Sequence, residues 1–360
     1  MNNHPGSQPL KTLLLFDADT LHYRQSVYKY FQKEFKKHGY NLKVVYDKKL
    51  NNIEEDILFI GIDYTFANFN AVIKDNDCRL IIFFVWMRYK FLLPLMLFQR
   101  VKGIKTITWS HGINLQDRNN KVKNQFYYLR QRLAHALIIF SENERQYIKA
   151  AHKKLFVANN TLNFHDFPLI KASKNQLKEK YGLTGKHVVL CVGRLNTNNR
   201  KLSYLLEGFA ASAQKNFFLV IAGPGVTQDQ ERRIKGMDNV HYLGAVYDPL
   251  KINEVYKMSD IFCMPGAIGL SINQAFYHGL PVVVEDVPHG PEGIYLKEGQ
   301  NGFLFKKGDI KDMMDKIHTL CRDRDLYKQF SHQARETIHK EAAVEKMFDG
   351  FMEAVRYVER

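Results

Sequence analysis

Residues 262–305 read FCMPGAIGLSINQAFYHGLPVVVEDVPHGPEGIYLKEGQNGFLF, and this stretch decides the fold. An apolar run at 260–264 feeds Pro265-Gly266. Gly269-Leu270-Ser271 then opens a helix that carries Gln274-Ala275-Phe276. Gly279-Leu280-Pro281 turns into a second apolar run at 282–284, and Gly302 starts a third at 303–305. Strand, glycine loop, helix, strand is the repeating unit of a parallel sheet. Its loop presents unpaired backbone N–H groups and the positive end of a helix, and both favour an anion. The stretch is expected to hold a phosphate-bearing ligand.

The same pattern extends upstream. An apolar run at 188–192 ends in Gly193-Arg194-Leu195, and another at 217–222 ends in Gly223-Pro224-Gly225. The N-terminal half starts again with a strand at 13–17, a helix at 24–37 and a strand at 42–46. That order is a βαβ unit and predicts a second doubly wound sheet. Further strands are expected at 57–61, 80–85, 106–109, 136–141 and 156–158. The strand at 106–109 ends in Ser110-His111-Gly112, at the edge where such sheets collect ligands. At 360 residues the chain has room for two cores. The expected division is a first domain at 1–165, a polar linker at 166–186, a second domain at 187–340 and a C-terminal helix at 341–360.

Four cysteines, Cys78, Cys191, Cys263 and Cys321, lie far apart with no C-x-x-C pair. They are expected as reduced thiols, not as a disulfide framework or a metal site. The polar N-terminus, expected to be disordered over 1–10, lacks a signal-peptide pattern. The most apolar region, 80–98, is interrupted by Arg88, Lys90 and Pro94, so no spanning helix is expected. These features point to a cytoplasmic protein, peripheral at most on a membrane.

The landmarks in order are glycine-leucine, helix, Ala-x-x-x-Gly-x-Pro-Val, Pro-Glu and Asn-Gly-x-Leu. In that order the C-terminal half resembles the donor-binding core of the glycosyltransferase family 4 type. The resemblance implies an α/β GT-B fold: two Rossmann-like domains with parallel sheets, an interdomain cleft, and a last helix returning to the first domain. It also implies transfer of a hexose or related sugar from a nucleotide sugar, UDP- or GDP-linked, to a glycan or lipid-linked acceptor. The resembled reaction retains anomeric configuration and needs no metal, and no cofactor beyond the nucleotide-sugar substrate is expected. The resemblance further implies that Arg194 and Lys201 contact the donor diphosphate. Cations suit that place, because a departing nucleoside diphosphate gathers negative charge. Arg200 is the alternative to Lys201, because the gap after Arg194 is two residues longer than in relatives.

Gly193, Gly223 and Gly225 match the family's strand-end glycines. Ile268, Gly269 and Leu270 match its phosphate-facing helix start, and Glu292 its Pro-Glu. His111 and Gly112 match a strand-end histidine and its glycine, at the donor sugar or the acceptor nucleophile. Two departures stand out. The family's pair of glutamates is replaced here by Gly266 and Gln274. A first-loop Gly-Gly is replaced by Leu21-His22-Tyr23-Arg24, where Arg24 is a candidate for an acceptor phosphate. These departures keep two alternatives open: an inactive nucleotide-sugar-binding scaffold, and a nucleotide-sugar epimerase of the same fold.

The net charge of +15 is concentrated early, with 25 Lys and Arg against 14 Asp and Glu over residues 1–170. Arg88, Lys90, Arg100, Lys102, Lys105, Arg118, Lys121, Lys123, Arg130 and Arg132 face a single acid, Asp117, within 86–132. Trp86, Tyr89, Phe91, Phe126 and Tyr128 are interleaved with them. Aromatic rings beside cations suit an anionic membrane surface. The alternatives are a solvated face over an apolar core and, less favoured by the pattern, single-stranded nucleic acid.

Overall fold

A computed structural model describes residues 9–20, 22–51, 53, 56–114, 117–195, 200–212, 214 and 216–360. Most of the expected disordered N-terminus, Leu21 and residues 196–199 lie outside that set.

The chain forms two compact units. The first comprises residues 1–163 and 344–360, and the second residues 164–343. In the first unit the order is β1 (Lys11–Phe16), α1 (His22–Lys37), β2 (Tyr40–Asp47), β3 (Phe59–Ile62) and α2 (Phe66–Asp75). There follow β4 (Leu80–Phe84), α3 (Leu92–Val101), β5 (Lys105–Trp109), α4 (Lys121–Leu133), β6 (Ala136–Ile139) and β7 (Leu155–Val157). The sheet runs β3-β2-β1-β4-β5-β6-β7, all parallel. Both faces are covered, so the central strands read as unbroken apolar runs such as LLLF and LIIFF rather than alternating ones.

The second unit opens with α5 (Lys174–Lys180), β8 (His187–Val192), α6 (Leu202–Ala211), β9 (Phe217–Ala222), α7 (Gln228–Lys235) and β10 (Val240–Tyr242). It continues through α8 (Pro249–Met258), β11 (Ile261–Met264), α9 (Ser271–Tyr277), β12 (Val282–Glu285), β13 (Gly302–Phe305), α10 (Ile310–Arg322) and α11 (Arg324–Glu341). Its parallel sheet runs β10-β9-β8-β11-β12-β13. Counted within each unit, the six strands of the second sheet repeat the order of the first six of the first sheet, which adds β7 at its edge; both reverse direction beside their first strand. That reversal is where doubly wound sheets open a crevice at their carboxyl edge.

Residues 166–186 are not a linker. Ser173 and Gln176 form a capping box at the start of α5, and Leu177 and Leu183 enter the second unit's core. Lys174 and Lys178 reach Asp260 at 2.7 and 2.6 Å, which ties this segment to the loop before β11. The last helix, α12 (Val344–Glu359), belongs to the first unit. Its Phe348 and Phe351 pack their rings against Phe31 and Phe35 of α1.

Among the described residues no helix is long and apolar enough to cross a membrane. The four cysteines are free thiols, three of them buried.

Candidate functional sites at the two carboxyl edges

In the second unit the site is built around Arg200. The backbone of Arg200 forms an antiparallel bridge with Gly266, and the Lys201 amide donates to the Pro265 carbonyl at 2.9 Å. These contacts stitch the start of α6 to the exit of β11. The Arg200 guanidinium then lies over the backbone of Gly193, where a methyl group would overlap it, and beside Gly269. Only backbone without side chains leaves room for it there. Arg200 has no side-chain hydrogen bond or ion pair among the described residues. Burial presses its pKa downward, and the neighbouring Arg194 adds to that; Cys191, Tyr256 and Glu292 oppose it. Arg194 itself is exposed. Two like charges held together at the crevice edge, one partly desolvated and unpaired among the described residues, have the chemistry that suits an anion.

The glycine turn contributes donors. The amides of Gly269 and Leu270 donate to no acceptor among the described residues, whereas the Ile268 amide points at Nδ1 of His289 at 3.5 Å. Gly223 lies so close to Gly193 that an added Cβ would overlap the Gly193 carbonyl oxygen. Gly225 follows it in the same strand-end loop. Glu292 is buried, with its carboxylate close against Gly290.

Lys201 is not free for a ligand. Its Nζ lies 2.5 Å from Oε1 of Glu285, which is fully buried at the end of β12 and also accepts from the Gly308 amide at 3.0 Å. That hydrogen bond raises the Lys201 pKa. Of the two candidates left open by the long gap, Arg200 is therefore the unpaired one. The other Glu285 oxygen has no partner among the described residues.

The two missing glutamates have physical counterparts. Gly266 has φ 103°, a conformation that an L side chain rarely adopts, and the bridge to Arg200 uses its backbone. Gln274 donates through Nε2 to Asn253 Oδ1 at 3.2 Å, and His278 shares that oxygen at 2.8 Å.

In the first unit, His111 follows β5. Its Nδ1 is 2.5 Å from Oε1 of Glu144, and its ring stacks on Phe140 at 4.3 Å. Glu144 is buried, and its second oxygen accepts from the Phe140 amide at 2.8 Å. A carboxylate oxygen accepts, so Nδ1 donates to Glu144 and Nε2 is the ring nitrogen left for a ligand. Nε2 has no partner among the described residues. Gly112 is held through its carbonyl by Gln131 at 2.8 Å. Glu144 sits in the short helix that follows β6. The helix is a 3-10 turn, Ser141 makes no capping bond, and the carboxylate turns back to the strand end.

Arg24 is not placed for an acceptor phosphate. It is buried, with Nη1 2.9 Å from Asp17 Oδ2 and its guanidinium over Phe84 and Trp109. Burial opposes its charge, and Asp17 more than offsets this, raising the pKa. Tyr28 and Trp86 complete the shell of Asp17 at 2.7 and 3.1 Å. Arg130 also departs from expectation. It points inward, with Nη1 2.6 Å from the Met87 sulfur, and burial lowers its pKa.

Set beside known proteins, residues 186–323 match the family described as Glycosyl transferases group 1. The sulfoquinovosyl transferase SQD2 of Arabidopsis thaliana is 28% identical over 177 residues, 48% of this chain and 34% of that protein. An uncharacterized glycosyltransferase of Haemophilus influenzae is 25% identical over 259 residues, 69% of this chain and 68% of its own length. This chain thus matches only about a third of the plant relative. Among solved structures, HepE of Anabaena, crystallised with UDP, superposes with a TM-score of 0.78 at 15% identity. That match covers 96% of this chain and all of HepE. The class is settled by fold and domain: this is a GT-B protein of two parallel α/β units. The match to the glycosyl transferases group 1 family falls within its second unit.

Proposed function

We propose that the protein transfers a hexose or related sugar from a nucleotide-sugar donor to a glycan or lipid-linked glycan acceptor, in surface polysaccharide or glycolipid assembly. The observation that carries this reading is Arg200, unpaired in its glycine cradle with Arg194 beside it. The donor diphosphate binds there, with the Gly269 and Leu270 amides as further donors. As the bond from the sugar to the phosphate oxygen breaks, negative charge grows on the diphosphate, and the fixed cations stabilise it. In this reading the fixed cations supply the charge that a metal ion supplies in other transferases. A new bond forms from the sugar to an acceptor hydroxyl oxygen, and the hydroxyl proton passes to the departing phosphate. Front-face attack of this kind retains configuration. His111, held by Glu144, offers Nε2 to a hydroxyl of the sugar or the acceptor.

UDP is the favoured donor base, because a fold neighbour binds it; GDP is the alternative. The reaction is placed in the cytoplasm. A second reading has specific support: Gly266 and the engaged Gln274 leave the donor without the family's two carboxylates, as in a protein that binds a nucleotide sugar without turning it over. A thermal-shift screen against UDP, GDP, ADP and CMP, followed by turnover with the matching sugars, separates the two. A melting shift of the order expected at a hundredfold excess over Kd, about 2.7 kcal/mol, is expected with one diphosphate. Binding without turnover supports the scaffold, and no shift with any nucleotide removes the donor site.

A further inference from the structure

Helix α4 is built inside out. Its buried residues are Asn124, Arg130 and Gln131. Its apolar residues at positions i, i+4 and i+7 face water instead: Val122 is 71% exposed and Phe126 48%, and Leu129 is exposed as well. A surface helix ordinarily turns that stripe toward the core. Helix α3 adds to the surface. Val101 is 88% exposed and Leu97 and Phe98 are exposed, while Leu92, Leu95 and Met96 fill the core beneath. The carboxyl ends of the two helices meet where Arg100 donates to the Leu133 carbonyl at 2.7 Å.

Charge narrows the occupant. Neither helix contains an acid, and Asp117 is the one acid between 92 and 133. Lys102, Lys105, Lys121, Lys123 and Arg132 are exposed around the apolar stripe. A second copy of this chain would bring the same cations face to face, which repels. The exposed aliphatic side chains Leu97, Val101, Val122 and Leu129 offer no face for stacking bases, which disfavours a nucleic acid. Aliphatic and phenyl groups ringed by lysine and arginine fit a surface that is apolar a few ångströms down and anionic at its headgroups.

We infer that the α3–α4 surface docks on an anionic phospholipid bilayer, with Val101, Val122, Phe126 and Leu129 entering the headgroup–acyl boundary. Arg130 takes no part, because it is turned to Met87. The inference stands apart from the transfer reaction, since its test needs no donor, acceptor or turnover.

The test is co-sedimentation of the full chain with vesicles of phosphatidylglycerol and phosphatidylcholine, against vesicles of phosphatidylcholine alone. Binding to the anionic vesicles only is expected. The variant K121Q/K123Q/R132Q should lower partitioning about 100-fold, since each surface cation contributes about one factor of five. The variant V122Q/F126Q/L129Q should lower it at least tenfold with little change in melting temperature, because none of the three side chains belongs to the buried core. Unchanged binding by the second variant would overturn insertion. Absence of wild-type binding to anionic vesicles would overturn the proposal outright, and so would tighter binding to a single-stranded oligonucleotide than to vesicles.

Discussion

The two sheets share the order of six strands and differ in what stands at their carboxyl edges. In the first unit the charges there close on one another: Arg24 on Asp17, His111 on Glu144. In the second unit Lys201 closes on Glu285, but the side chains of Arg200 and Arg194 have no hydrogen-bond or ion-pair partner among the described residues. One architecture thus supports two electrostatic designs. The first edge is neutralised internally; the second keeps a surplus of positive charge. Topology fixes where a ligand can sit, and the pairing of charges decides which ligand it is.

Mutations can break this contrast in order of size. Asp17→Ala leaves the Arg24 guanidinium buried and uncompensated, so it should destabilise the protein by about 3–5 kcal/mol in urea denaturation. A loss below 1 kcal/mol would mean that the first edge is not internally neutralised. Arg200→Ala should do the reverse. It leaves stability nearly intact and weakens nucleoside diphosphate binding about 100-fold by calorimetry, because a charge-assisted contact to phosphate is lost. Equal affinity in the variant would move the diphosphate elsewhere.

Acidification sharpens the comparison from the second unit's side. Burial, with Lys257 and Arg335 nearby, lowers the His278 pKa to about 3. The folded pKa lies below the unfolded one, so the unfolded chain binds the extra proton between those values. The contribution is complete above about pH 6.5 and falls as pH falls. Stability should drop by about 2 kcal/mol from pH 7 to pH 5 through this residue. His278→Gln, which keeps a donor to Asn253, should flatten that slope; an unchanged slope would assign the acid sensitivity to other groups. Glu144→Gln should lower transfer by about tenfold with nucleotide binding unchanged, because a neutral amide holds the His111 tautomer less firmly. A parallel loss of nucleotide affinity would instead make Glu144 structural. At the small end, Lys11→Ala removes a solvent-exposed pair with Glu359 and should cost no more than about 0.5 kcal/mol.

Much of this was legible in the sequence for local reasons. Apolar runs ending in glycine mark buried parallel strands, and nearly every expected strand appears within a residue or two. Helix α3 was hidden because LLPLMLFQRV carries a proline and no polar face to give it a period. Residues 166–186 looked like a linker because the anchors of Lys174 and Lys178 lie some eighty residues away, on Asp260. The site divided in the same way. The glycines and Arg200 lie in contiguous motifs. Glu144 is 33 residues from His111 and Glu285 is 84 from Lys201, and no local pattern announces a partner at that distance. Arg24 was misread for the same reason: its partner Asp17 could be seen only as part of a strand.

Helix α12 has a consequence for how the chain comes into being. The second unit is one continuous segment, so all its residues are synthesised before Val344 is added. The first unit begins before the second, yet Phe31 and Phe35 gain Phe348 and Phe351 only after the second unit has been synthesised. The part made first is therefore completed last. Its apolar α1 face stays uncovered throughout synthesis of the second unit, and any early stop in translation strands it in that state.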